Sequence, residues 1–376
     1  MTDIHLFGTL RDDALRARVL GRDIAGKPAV LQGVATVERP GADDPALVAG
    51  TGAEVPTLCL RALDADLRRR IEFYAGGLGC RAVELPQPGG PVLIFAPDAP
   101  DAAAPHDAEG QGPWDLAVWQ AAWAPICRRA AEEAMGYLGR IDGATLAGRM
   151  PTIRVRASSW VRAQTAPAPR HLRRGYDRDR VAVHDRRQPY AHYFAVEEAD
   201  LQHPKFNGGA SDTLTRAAFV LGDAVTVLPY DPARDRVLLV EQFRYGPHVR
   251  GDVLPWSLEP VAGRIDPGEM PQEAIRRECD EEAGLTLGHL EPVASYYPSP
   301  GAVTEYLYSY VGLCDLPDEA GSDAGGKDDE GEDILSHVIG FDRLMELIAL
   351  GEIDNAPLLL TAFWLAPRRR ELAALA

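Results

Sequence analysis

The chain has 376 residues, 46% of them hydrophobic and 25% charged, the composition of a globular protein with length for two or three domains. Its formal net charge of -17 leaves no excess of Lys and Arg to neutralise phosphates, which disfavours nucleic acid and anionic membranes as general partners. An acidic protein that handles phosphates must therefore recruit a metal.

The five cysteines, Cys59, Cys80, Cys127, Cys279 and Cys314, are odd in number and never spaced C-x-x-C. That argues against a disulfide framework or a zinc site and for reduced thiols. No basic and apolar leader follows Met1, and no uncharged run approaches the roughly 18 residues of a spanning helix. The expected location is the cytoplasm.

In chain order, Ile4 to Leu6 reads as a short apolar strand, Gly8-Thr9 as a turn, and residues 12–20 as a helix carrying Leu15, Val19 and Leu20. The run Phe7-Gly8-Thr9-Leu10-Arg11 resembles the Y-G-T/S-L-R opening of the gamma-glutamylcyclotransferase-like family, with Phe7 where Tyr is usual. That resemblance covers residues 1–110 and implies a small mixed β-barrel whose turn binds anions. The family's carboxylate acid/base belongs in an L-D-x-F-E-G type segment, and the nearest match is Arg70-Ile71-Glu72-Phe73-Tyr74-Ala75-Gly76. Aligning Tyr74 with the aromatic puts Ala75 where the catalytic Glu belongs. Cyclotransfer then lacks a positioned proton shuttle, so a structural or ligand-sensing role is expected of this domain.

Residues 99–112, rich in Pro, Ala, Asp and Gly, read as an exposed loop. From Trp114 to Leu138, Trp119, Ala122, Trp123, Ile126, Ala130, Ala134 and Leu138 recur at three- and four-residue steps, a helical pattern interrupted at Pro125 and most simply core. Between Arg149 and Arg187, eleven Arg stand against Asp177, Asp179 and Asp185, around Ala166-Pro167-Ala168-Pro169. Residues 151–177 therefore read as a basic connector between a first domain, 1–150, and a second, 178–376. Such a connector could dock on the acidic faces of the domains, hold a regulatory anion, or meet nucleic acid.

In the second domain Val181 to Val183, Tyr193 to Val196, Ala218 to Val220, Ala224 to Leu228 and Arg236 to Val240 read as strands, with Trp256 to Ala262 as a further one. Asp266, Pro267 and Gly268 then mark a turn. A helix follows in which Glu278, Glu281 and Glu282 stand at i, i+3 and i+4, three carboxylates on one face. Like charges so placed cost stability, so a cation belongs among them. Carboxylate oxygens are hard ligands suited to Mg²⁺ or Mn²⁺, with positions left for water and substrate phosphates. From Gly263 through Glu269 to Arg277-Glu278-Cys279-Asp280-Glu281-Glu282-Ala283-Gly284-Leu285, the run fits G-x5-E-x7-R-E-U-x-E-E-x-G-U with an apolar residue at each U. On those residues the domain resembles the Nudix hydrolases. The resemblance implies an α/β/α sandwich with a mixed sheet, α+β or α/β in class, and divalent-metal hydrolysis of nucleoside diphosphates linked to another group. It further implies Glu278, Glu281, Glu282 and the Ala262 carbonyl as metal ligands, with Glu269 and Arg277 tying loop to helix.

Arg216, Leu228-Pro229-Tyr230-Asp231-Pro232, Glu241-Gln242-Phe243-Arg244, Glu259-Pro260-Val261-Ala262, Ser299-Pro300-Gly301, Glu305 and Ile353-Asp354-Asn355-Ala356 are similar to the ADP-ribose pyrophosphatase subgroup. Arg244 ends a strand and offers a fixed fork to a phosphate. Ser299 to Gly301 is a turn where backbone approaches a ligand closely. The resemblance implies Arg216 and Arg244 at the phosphates, Glu305 at the ribose, Glu259, Ser299 and Gly301 as further substrate contacts, and a homodimer sharing Arg216. Residues 321–333 read as a Gly- and Asp-rich loop, and Glu330-Gly331-Glu332-Asp333-Ile334 matches the subgroup's E-x-E-D-I. Glu330 is thus the expected base and Glu332 the second, alongside Glu282. The expected reaction is Mg²⁺-dependent hydrolysis of ADP-ribose to AMP and ribose 5-phosphate. Another nucleoside diphosphate sugar, a ligand sensor and a bifunctional cyclotransferase are the alternatives. The two domains in this order resemble bacterial tellurite-resistance Nudix proteins, a phenotype that defines no substrate.

Overall fold

In the computed structural model, residues 3–39, 43–61, 63–97, 112–318 and 333–374 are described, and the chain divides into two units, Met1–Ala168 and Pro169–Ala376. In the first, β1 (Ile4–Leu6) is buried at all three positions. It lies between β3 (Ala46–Leu60), antiparallel to it, and β5 (Val92–Ala96), parallel to it. With β2 (Lys27–Val37) and β4 (Arg81–Leu85) the sheet order is β2-β3-β1-β5-β4. Leu31 and Val34 of β2 share one core cluster with Leu85 of β4 and Ile94 of β5, so the sheet curls until its two edges face one interior. The Gln87 side chain bridges those edges, accepting from the Gln32 N–H at 2.8 Å and donating to the Gln32 carbonyl at 3.2 Å. Among the described residues no backbone ladder joins β2 to β4. The expected barrel is therefore an open half-barrel, because closure needs a hydrogen-bond stagger carried all the way round, and here the edges stand one side chain apart.

Among the described residues, this unit also has the α-helices α1 (Asp13–Leu20), α2 (Ala65–Gly77), α3 (Leu116–Ala122), α4 (Ala124–Met135) and α5 (Gly143–Thr165). Helices α1, α2, α3 and α5 each begin at an Asp, namely Asp12, Asp64, Asp115 and Asp142, whose side chain accepts first-turn N–H groups that would otherwise be orphaned. The break expected at Pro125 falls at Trp123, and the proline sits in the first turn of α4, where its missing N–H costs nothing. Helices α2 and α5 pack so closely at Gly76 and Gly143 that a Cβ on either would lie 3.0 Å from the other's Cα.

The expected connector, 151–177, begins inside this core. Its first part is α5, with Ile153, Val155 and Ala157 buried. Arg154 and Arg156 pair with Asp43 and Glu133, each at 2.6 Å. Those arginines are internal ion-pair partners, and their charge hid a helix that buries its apolar face.

The second unit opens with an antiparallel sheet of β6 (Ala182–Ala191), β7 (Ala195–Gln202) and β8 (Leu214–Val220). A seven-stranded mixed sheet follows, built from β9 (Ala224–Asp231), β10 (Arg236–Phe243), β11 (Trp256–Glu259), β12 (Val261–Arg264), β13 (Leu290–Tyr296), β14 (Leu307–Leu313) and β15 (Ile334–Gly340). Strand β9 is its centre, antiparallel to β10 and β12 and parallel to β14. Seven of its eight residues are buried, as suits a strand covered on both faces. On one face α7 (Pro271–Ala283) packs Ile275 and Cys279 against Val225 and Val227. On the other, α8 (Phe341–Leu350) and α9 (Ala356–Leu365) bury Leu344 and Leu358 against Leu228 and Val311. The layers are helix, mixed sheet, helix. The short α6 (Tyr245–Arg250) follows β10, and α10 (Arg369–Leu372) follows α9. All five cysteines are free thiols. Among the described residues no helix is long and apolar enough to cross a membrane.

Candidate active site

The site grows from the contact of α7 with β12. Gly263 pairs with Val225 in the sheet, and a Cβ at Gly263 would lie 1.9 Å from Glu278 Cδ. The Glu278 side chain therefore rests on bare backbone, a position no other residue leaves open. Glu282, only 4% exposed, accepts the Ala262 N–H at 3.3 Å. Helix α7 ends at Gly284 in the left-handed conformation, φ 61°, which lets the chain turn away immediately after the carboxylates.

The cation expected among these acids is supplied in part by the chain itself. Arg277 Nη1 donates to Glu278 at 2.7 Å and to Glu281 at 3.1 Å. Its Nε and Nη2 fork onto Glu269, both at 3.0 Å, and Nη2 also reaches the Arg264 carbonyl at 3.1 Å. The Glu269 bonds are the largest of the influences that raise the Arg277 pKa above its ordinary value. One guanidinium thus ties the turn before α7, the strand β12 and two helix carboxylates together.

Among the described residues no three His, Cys, Asp or Glu side chains converge into a ready-made metal cage. Glu278 and Glu281 close on Arg277, and Glu282 on Ala262. The donor set nevertheless suits a hard cation: carboxylate oxygens on one helix face lie beside backbone that Gly263 lets them approach. Such a cation keeps several of its waters and takes the rest of its shell from substrate phosphates.

A second cluster stands at the end of β10. Arg244 donates from Nε and Nη2 to the two Glu259 oxygens at 3.0 and 2.7 Å. The sequence suggested both as separate substrate contacts; the structure pairs them, leaving three of the five guanidinium N–H groups outside that fork. Burial works against the Arg244 charge, but the Glu259 bonds outweigh it and raise its pKa, with Glu282 and Tyr193 adding to the same field. Burial raises the Glu305 carboxyl, Arg244 opposes that, and Asp223 reinforces it. Arg244 thus feels Glu259 and Glu282 and in turn acts on Glu305.

Ser299 and Gly301 lie exposed in the segment between β13 and β14. The Ser299 carbonyl accepts from Ala302 and Val303 N–H, both at 3.0 Å. This turn is fastened to β8, since Phe219 N–H donates to the Ala302 carbonyl at 2.8 Å and Thr304 N–H to the Phe219 carbonyl at 3.0 Å. Arg216, three residues earlier on β8, is exposed and donates to the Thr215 carbonyl at 2.9 Å; no described contact brings it to the α7 carboxylates. Glu330 and Glu332 lie outside the described residues, as does most of the 99–112 loop. The chain enters β15 at Ile334 opposite Gln242, two residues before Arg244.

Sequence reasoning missed Tyr193. It is 64% exposed at the corner between β6 and β7, and the Arg264 guanidinium lies 4.8 Å from its ring centroid. Tyr193 also adds to the field at Arg244, which puts it at the border of the β10-end cluster. The aromatic run Tyr190-Ala191-His192-Tyr193-Phe194 was the only hint.

In the first unit, Gly8, Thr9, Asp44, Ala75 and Cys80 line a small cavity. Gly8 has φ 59°, and a Cβ there would meet Pro45 at 2.6 Å. The segment 70–76 lies within α2, so Ala75 faces the cavity while Glu72 bonds Arg68 at 2.8 Å on an exposed surface. Burial pushes the Asp44 carboxyl up; nothing in the sequence had singled it out.

A family model for the NUDIX domain matches residues 220–359. The chain is 36% identical over 190 residues to the ADP-ribose pyrophosphatase of Escherichia coli (strain K12), covering 50% of this chain and 90% of that protein. It is 34% identical over 178 residues to the ADP-ribose pyrophosphatase of Haemophilus influenzae, covering 47% and 81%. It is also 33% identical over 146 residues to the GDP-mannose pyrophosphatase of Enterobacter sp. (strain 638), covering 39% and 74%. A crystal structure described as an ADP compounds hydrolase aligns at 20% identity over 50% of this chain and 96% of its own, with a TM-score of 0.39.

Proposed function

The chain belongs to the Nudix hydrolase family, and we propose that its second unit hydrolyses the diphosphate of ADP-ribose, giving AMP and ribose 5-phosphate. The observation that carries this reading is the seating of Glu278 on Gly263 beside Glu281 and Glu282. Glu278, Glu281 and Glu282, with the Ala262 carbonyl, would hold Mg²⁺ or Mn²⁺. When bound, such an ion would neutralise charge on the diphosphate and lower the pKa of a water so that a base can deprotonate it for attack on phosphorus.

The remaining roles belong to the chain. Arg277 holds Glu278 and Glu281 in place. Arg244, oriented by Glu259, offers its remaining N–H groups to phosphate oxygens. Glu305 accepts ribose hydroxyls, the Ser299–Gly301 turn closes on the sugar, and Tyr193 flanks the base. Glu330 is the base we assign to the attacking water, with Glu332 as the second candidate. In a homodimer, Arg216 would reach the partner's site. The GDP-mannose pyrophosphatase similarity supports a second reading, another nucleoside diphosphate sugar, since no residue of the α7 cluster selects adenine. For the first unit we propose ligand binding without cyclotransfer, because Ala75 supplies no carboxylate.

The test is product release from ADP-ribose, ADP-glucose, GDP-mannose and NADH with Mg²⁺, with chelator, and in Glu282→Gln. Rapid Mg²⁺-dependent AMP formation from ADP-ribose, lost in the variant, is expected. Faster turnover of GDP-mannose would give preference to the second reading, and no turnover of any substrate by folded protein would end both.

A further inference from the structure

The basic stretch that opens the second unit takes no part in the proposed hydrolysis. Arg170, Arg173, Arg174, Arg178 and Arg180 stand there against Asp177 and Asp179, in a chain of net charge -17. Tyr176, Arg178 and Val181 form one wall of a cavity of about 540 Å³, and His203, Lys205 and Phe206 form the other. Asp177 also reaches its lining, and its carbonyl accepts the Arg180 N–H at 3.3 Å. The two walls meet where Tyr176 stacks on Phe206, centroids 5.6 Å apart and planes 13° from parallel. The Arg180 guanidinium lies 5.6 Å from the Tyr176 ring centroid.

Both walls are held by main-chain bonds. Val181 N–H donates to the Arg178 carbonyl at 3.0 Å. At the turn between β7 and β8, Lys205 N–H donates to Gly209 at 3.0 Å, Ser211 N–H donates to His203 at 2.9 Å, and the Ser211 hydroxyl accepts the His203 N–H at 3.1 Å. Phe206 is nevertheless 75% exposed. A turn that presents a phenyl ring to solvent beside cations has the ingredients of a recognition surface: the face of Phe206 turned away from Tyr176 can stack a flat heterocycle, while guanidinium and ammonium groups attract an anion. The volume falls within the roughly 300–1,000 Å³ of small-ligand sites.

The cavity is also remote from the hydrolytic centre. Strand β7 runs from Ala195 to Gln202, so His203 and the site-bordering Tyr193 stand at opposite ends of a strand about 25 Å long. We propose that this cavity binds a nucleoside 5′-monophosphate as a second site, apart from the one that performs hydrolysis. The proposal is independent of the hydrolytic reading, although AMP, the product under that reading, belongs to the ligand class.

Equilibrium dialysis of the full chain against AMP tests it. The wild type is expected to retain one more equivalent of AMP than Phe206→Ser and than Lys205→Ser, both at exposed turn positions outside the core. Because the result is a difference between proteins, it does not depend on whether the hydrolytic site keeps AMP. Adenosine and inorganic phosphate, each carrying half the chemistry, should bind this site at least tenfold more weakly. Equal AMP stoichiometry in the wild type and both variants would overturn the proposal, and so would phosphate binding there as tightly as AMP.

Discussion

Gly263 has no side chain, yet it decides where the Glu278 carboxylate can stand. A Cβ there would fall 1.9 Å from Glu278 Cδ and 2.4 Å from its Cγ, and the flexible glutamate would yield before the strand does. Gly263→Ala should therefore unfold within a few degrees of the wild type but lose about 100-fold in kcat, the scale expected when a catalytic group is misplaced by about 1 Å. Thermal melts and steady-state rates on one preparation check this, and unchanged kcat would show that Glu278 has other places to stand. Asp12 plays the stabilising counterpart in the first unit. Burial pushes its carboxyl up, but bonds from Arg128, the Leu15 N–H and Gln120 outweigh that and hold it at about 2, below the ordinary 3.8. A depressed folded pKa contributes stability above the unfolded value and forfeits it as pH falls through the folded one. Asp12→Ala should thus cost about 2 kcal/mol at neutral pH, through the lost helix cap and the broken Arg128 pair, and the gap should narrow between pH 4 and pH 2. Denaturant midpoints across that range measure it. The α7 carboxylates, Gly263 and Arg277 were legible in the sequence because they lie within one short, locally spaced stretch. Tyr193 and Asp44 were not, because a hairpin corner and a curled sheet bring them to their sites, and neither leaves a periodic trace.

Among the elements, β2 shows how the first unit manages an open sheet. An edge strand of eleven residues offers unpaired N–H and C=O groups to any passing strand. Gln87 covers one residue's worth of that edge by bonding both the N–H and the carbonyl of Gln32. Gln87→Ala should cost at most about 1 kcal/mol, yet speed hydrogen exchange at the Gln32 amide and increase light scattering on warming. An unchanged Gln32 exchange rate would mean the bridge protects nothing. The elements that sequence reading placed well are those with one dominant local signal: the expected strands Ala224 to Leu228 and Arg236 to Val240 fall within β9 (Ala224–Asp231) and β10 (Arg236–Phe243). Residues 151–165 of the expected basic connector belong to helix α5, and its arginines dock on acidic residues of the first unit as a connector's could. Their acidic partners, Asp43 and Glu133, stand 111 and 23 residues away, and no local pattern announces an ion pair across such a distance.

On the scale of the whole chain, two units with separate cores should behave as two folding units. The first gathers Leu31, Val34 and Ile94 inside its half-barrel, and the second buries Val225 and Leu228 on opposite faces of β9. Every described residue of the candidate active site belongs to Pro169–Ala376. A chain carrying only residues 169–376 should therefore fold and hydrolyse its substrate with kcat within about twofold of the full protein, given that exposed linkers between domains carry few contacts. In the full chain, calorimetry should resolve two transitions, of which Asp12→Ala lowers only one and Gly263→Ala leaves both in place. A single transition shifted as a whole by Asp12→Ala would show that the cores are coupled. Loss of activity in the folded 169–376 fragment would go further: the first unit would then contribute to hydrolysis itself, and its cavity beside Ala75 would become the next place to look for the cause.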